Sequence, residues 1–120
     1  MRKSTIPAAW KNYCDCLDNT QKSALLNTMH LALGFIVEPS CVMSYGVPTI
    51  KSNGNYIIAV GANKNFLSIY PFGNDAILAN NTLFAKNEKS KGAVRFNYEQ
   101  LPTSQQIKAL VDYNLNKFAR

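Results

Sequence analysis

The strongest constraint on this chain is a stripe near its C-terminus. Ile107, Leu110, Val111, Leu115 and Phe118 recur at helical spacing, which places them on one face of an α-helix. Thr103 and Gln106 follow Pro102 and make the capping-box pattern that opens such a helix. A helix with one continuous apolar face has to bury it on a second layer.

The middle of the chain reads as the β-structure that supplies this layer. Asn53-Gly54 is a type I′ hairpin signal, because both residues tolerate positive φ. Before it, Cys41 to Tyr45 forms a short strand, interrupted by Gly46 and Pro48 and resumed over Thr49 to Lys51. After it, Tyr56 to Val60 is apolar on both faces and is expected to be central. Asn63-Lys64-Asn65 is a second turn. Phe66 to Tyr70 then alternates, with Leu67 and Ile69 on one face and Phe66, Ser68 and Tyr70 on the other. Beyond Pro71 and Gly73, Asn74 can cap a short helix from Asp75 to about Ala79. Ala93 to Tyr98 is a last strand, with Val94, Phe96 and Tyr98 on one face and Arg95 on the other.

The first third is helical. Pro7 suits the first turn of a short helix over Ala8 to Leu17. Asn19 or Thr20 caps the next, whose stripe is Leu25, Met29, Leu33 and Ile36, with Leu26 and Ala32 beside it. Glu38-Pro39 closes it, since the residue before proline avoids the α region. The expected fold is therefore α+β: a two-layer α/β sandwich whose antiparallel sheet carries the N- and C-terminal helices on one face. Residues 1–120 are read as a single domain, about the size of one ordinary core.

Composition narrows the function classes. Apolar residues make up 47% and charged residues 17%, which excludes a disordered chain. No run approaches a membrane span. Arg2 and Lys3 lead into Pro7 and Trp10 rather than an apolar run, so a secretory signal is not expected. The cytoplasm is the default. Cys14, Cys16 and Cys41 fit no disulfide framework and no recognised zinc spacing. His30 is the sole histidine and is read as a surface residue. The net charge of +6 and pI of about 9.3 raise nucleic-acid association, centred on Lys86, Lys89, Lys91 and Arg95. The spread of the lysines, Glu88 within the cluster and the lack of interleaved aromatics argue against it.

Catalytic motifs are missing: there is no phosphate-binding glycine loop and no nucleophile elbow, and nothing local suggests a Cys–His nucleophile pair. A non-catalytic binding role is expected, with no catalytic residue, no resident cofactor and an undetermined metal preference. The candidate ligand site is the open sheet face, built from Tyr45, Phe66, Ser68, Tyr70, Lys91 and Arg95. Aromatic walls with a guanidinium and hydroxyls suit a small anionic or carbonyl ligand. An enzyme using Tyr45, Tyr70, Lys91 or Arg95 is the alternative. Gly46, Pro48, Pro71 and Gly92 are read as structural. Tyr45 is expected to lay its ring on the core rim and tie its hydroxyl to backbone or to Arg95.

Three segments carry a family resemblance: Ser44-Tyr45-Gly46-Val47-Pro48, Lys64-Asn65-Phe66-Leu67-Ser68-Ile69-Tyr70-Pro71 and Ser90-Lys91-Gly92-Ala93-Val94-Arg95-Phe96. With the closing helix they resemble the YdhG-like domain family, over about Tyr13 to Phe118. The resemblance implies an α/β sandwich like that of frataxin. It also implies iron handling, as a chaperone that serves iron–sulfur or haem assembly, with an iron–sulfur assembly protein as partner. Where members often carry a glutamate and a histidine, this chain has Cys41 and Phe66. A monomer or weak homodimer is expected.

Overall fold

The computed structural model describes residues 6–90 and 92–118. A 3-10 turn, Ala8–Trp10, runs into α1 (Lys11–Asp15), and α2 follows over Asn19–Leu33. Then come β1 (Pro39–Ser44), β2 (Val47–Ser52), β3 (Asn55–Ala62) and β4 (Leu67–Tyr70). After α3 (Asp75–Ala79) and a second 3-10 turn (Asn81–Phe84), β5 (Lys89–Ser90) and β6 (Ala93–Phe96) complete the sheet, and α4 (Ser104–Phe118) closes the chain. The sheet is antiparallel with strand order β1-β2-β3-β4-β6-β5.

The α+β sandwich expected from the sequence is the one found. β3 lies inside the sheet, and α2 and α4 both pack on it. Register assigns the faces. Ile50 pairs with Ile58, Val60 with Ile69, Leu67 with Phe96 and Ile69 with Val94. These seven side chains are buried in one core with Leu25 and Met29 of α2 and Ile107, Leu110 and Val111 of α4. The opposite face carries Thr49, Ala59, Gly61, Ser68, Tyr70 and Arg95, paired across the same ladders.

Several boundaries differ from the sequence reading. The N-cap of α2 is Asp18, not Asn19 or Thr20; its carboxylate accepts from Gln21 N–H at 2.8 Å and the Gln21 side chain accepts from Asp18 N–H at 3.0 Å. The helix stops at Gly34, four residues before Glu38, so Ile36 reaches the core from the connector. Pro48 does not interrupt a strand. In a two-residue hairpin the closing pair, here Ser44 and Val47, is the hydrogen-bonded one, so the next pair, Met43 and Pro48, points its N–H positions away from the partner. The β2–β3 ladder ends at Thr49, and the missing proline N–H costs no ladder bond there. Asn74 precedes α3 as expected, yet its side chain does not cap it; it accepts from Gly92 N–H at 3.3 Å. β5 was not anticipated, because two exposed polar residues carry no periodic signal.

An aromatic cleft on the open sheet face

Two turns aim side chains at the open face. Tyr45 (φ 53°) and Gly46 (φ 79°) are the central residues of the β1–β2 turn, and both are left-handed. This is the geometry of Asn53 (φ 51°) and Gly54 (φ 80°) in the β2–β3 turn. The second hairpin uses the residue pair this turn favours; the first puts a tyrosine where Asn or Gly is preferred. Gly46 meets the conformational need the sequence suggested, since a Cβ there would touch nothing within 4 Å. Tyr45, by contrast, is 90% exposed. Its ring does not lie on the core rim, which corrects the expectation of a tethered structural residue.

Phe72 is a second left-handed aromatic (φ 53°). It follows β4 and stacks on Tyr56, with ring centroids 5.0 Å apart and 24° between planes. Lys51 Nζ lies 4.9 Å from the Tyr56 centroid. Tyr56 comes onto this side through a bulge: the β2–β3 register shifts between Ile50 and Lys51, passing over Ile57, so that Ile57 and Ile58 are both buried in the core.

Tyr70 needs Gly61. A Cβ on Gly61 would sit 3.1 Å from Val47 Cγ1 and 3.4 Å from the Tyr70 ring, so the glycine lets the ring and the valine close over the strand. The result is a cleft of about 320 Å³ whose lining includes Tyr45, Val47, Ala59, Tyr70, Phe72 and Gly92. Its floor is the small buried Ala59 and its walls are aromatic and aliphatic.

The six site residues named from the sequence do not form one constellation. Tyr45 and Tyr70 share this cleft. Phe66 and Arg95 meet elsewhere, the guanidinium carbon 4.4 Å from the ring centroid. Phe66 shares the face of Tyr70, but four residues of strand separate them by about 13 Å. Ser68 is buried between the two, its hydroxyl accepting from Asn63 Nδ2 at 3.2 Å. Lys91 lies outside the described residues. Val47, Ala59 and Phe72 were missed. Their signal was present in Gly61, a glycine inside an apolar strand that marks close approach, and in the Phe72-Gly73 turn.

Neighbouring hydroxyls are committed to the fold. Tyr13 accepts from Ala62 N–H at 3.0 Å and Tyr98 donates to Asn63 O at 2.5 Å. Desolvation raises the pKa of both phenols. Burial likewise pushes the Cys14 and Cys41 thiols up. All four shifts favour the protonated, less nucleophilic form.

No family model matches the sequence, and no curated protein matches it. Among solved structures, the chain superposes on a Bacillus subtilis protein of the DUF1801 family, YdhG. The TM-score is 0.84, covering 92% of this chain and 91% of that one, at 12% sequence identity. No helix among the described residues is long and apolar enough to cross a membrane. At that identity the likeness is one of fold: the chain has the YdhG-like fold, and in this chain two helices cover one face of the antiparallel sheet while the other carries the aromatic cleft.

Proposed function

We propose that this chain is a non-catalytic binding module whose aromatic cleft takes a small molecule with a flat apolar face. The observation that carries this reading is the pair Tyr45 and Phe72. Both are aromatic, both hold left-handed backbone that costs a non-glycine residue about 1–2 kcal/mol, and both line the same cleft. Local strain that packing does not require points to a functional reason for the side chain. Tyr45 is nearly fully exposed, so packing does not require it. The small floor at Ala59 and the rings around it fit a planar group by stacking.

The iron-delivery role implied by the resemblance finds less support in the side chains. Hard iron prefers carboxylates, and the carboxylates here are dispersed. Asp15 pairs with Lys11, Asp75 with Lys117, Asp112 with Lys108 and Glu88 with Arg95, while Asp18 caps α2. Among the described residues no three His, Cys, Asp or Glu side chains stand together.

Backbone-amide NMR with indole and quinoline as probes tests the reading. Saturable shifts are expected at Ser44, Val47, Ala59, Phe72 and Gly92. Tyr45→Asn is expected to weaken binding about three- to tenfold, the worth of one aromatic contact, while leaving the fold as stable as the parent or more so. Shifts that gather elsewhere, or a Tyr45→Asn variant that binds as the parent does, would overturn the proposal.

A further inference from the structure

We infer that a second, polar cleft beside Arg95 binds a small polar ligand bearing a carboxylate or phosphate. The cleft holds about 330 Å³ and shares no lining residue with the aromatic cleft. It is independent of the reading above.

Arg95 is pre-oriented. Its guanidinium lies flat enough on Phe66 for a 4.4 Å approach to the centroid. Its backbone N–H donates to Glu88 O at 2.9 Å, and its carbonyl accepts from Asn87 Nδ2 at 3.1 Å. Asn87 Oδ1 in turn accepts from Gln106 Nε2 at 3.5 Å. The strand that carries Arg95 and the loop that carries Lys86 and Glu88 are thereby locked together. A guanidinium held by stacking spends less entropy when its planar fork meets an oxyanion.

Its donors are also largely free to act. The one acidic partner in reach among the described residues, Glu88, stands 4.0 Å from Nη1 with its side chain 77% exposed, a pair worth little in water. Guanidinium offers five N–H donors. Lys86 lines the same cleft as a second cation. Lys89 is not available in the same way, because its ammonium is bound to the carbonyls of Phe84 and Asn87 at 2.8 and 3.1 Å. Asn65, Asn97 and Gln100 add amides that both donate and accept. Lys86, Asn87 and Gln100 also line a neighbouring hollow of about 280 Å³. The net charge of +6 favours the encounter.

The test is amide and arginine side-chain NMR on the full chain, titrated separately with inorganic phosphate and with malonate. We expect saturable shifts at Phe66, Arg95, Asn97 and Gln100 with one of the two, which names the anion. Arg95→Gln should weaken that binding by about ten- to a hundredfold, the worth of charge-assisted hydrogen bonds. Lys86→Gln should weaken it less, and Lys51→Gln, over the Tyr56 ring and in neither cleft, should leave it unchanged. Glu88→Gln should tighten it, because it removes the carboxylate that competes for the guanidinium. No saturation by either anion, shifts spread over the basic surface, or equal losses from Arg95→Gln and Lys51→Gln would each overturn the inference. Indole binding is read on other residues, so either proposal can fail alone.

Discussion

Asn114 is the one polar residue buried on the apolar face of α4, at 1% exposure. Its Nδ2 donates to Ile57 O and to Pro71 O, each at 2.7 Å. These carbonyls lie where strand pairing fails: Ile57 is passed over in the β2–β3 register, and Pro71 follows the end of β4. The amide therefore supplies two bonds that the sheet cannot, although its own Oδ1 lies buried without a partner among the described residues. Asn114→Ala removes both bonds and leaves a small void. We expect a loss of about 2–4 kcal/mol in urea-induced unfolding. Asn114→Leu should recover part of the packing and still fall short of the parent. Equal stability of Asn114→Leu and the parent would show that the two carbonyls do not need the amide.

At the scale of elements, the two hairpins make a controlled comparison. Both close on two left-handed residues, yet one uses Asn53-Gly54 and the other Tyr45-Gly46. Gly46→Ala adds a Cβ into open space, so its cost is conformational, about 1 kcal/mol. Tyr45→Phe should change stability by less than about 0.5 kcal/mol, as expected of an exposed surface position. Thermal unfolding of both variants decides this; a large loss for Tyr45→Phe would return the residue to a structural role. The helices obey simpler rules. Both long helices open on capping boxes, Asp18 with Gln21 and Thr103 with Gln106, and Gln106 also donates to Leu83 O at 2.9 Å. The cap thus anchors α4 to the second 3-10 turn as well as starting the helix.

At the scale of the whole molecule, charged contacts among the described residues are few and peripheral. Lys117 near the end of α4 meets Asp75 at the start of α3 at 3.0 Å. The hydrogen bond from Lys117 is the main reason the Asp75 carboxyl titrates below its ordinary value. A depressed carboxyl stabilises the fold fully above the unfolded-state pKa, near 3.9, and loses that contribution as pH falls through the lower folded value. Both partners are substantially exposed, so the effect is below about 1 kcal/mol. Asp75→Asn should accordingly unfold slightly more easily than the parent at pH 7 and match it at the lowest pH where both remain folded. A constant offset across that range would mean the pair does not contribute through ionisation.

What the sequence determined by itself is what repeats along the chain. The α4 stripe from Ile107 to Leu115, the Asn53-Gly54 turn, the Leu67/Ile69 and Val94/Phe96 alternation and the α3 limits at Asp75 and Ala79 all appear as read, whereas Phe118, the last member of the stripe, is exposed. Each rests on local geometry, period 3.6 or 2 or a turn's φ, which a few neighbouring residues settle. The tertiary structure decided which side chains meet. Tyr70 and Phe66 share a face but serve different clefts, since strand rise separates them. Tyr45 joins Phe72 and Gly92 from distant turns, and Asn114 finds its carbonyls 57 and 43 residues away. Such meetings depend on register, a bulge at Ile57 and the order in which β6 inserts beside β4. Those are set by how the whole core packs, because one residue of slip would turn every buried side chain of a strand toward water.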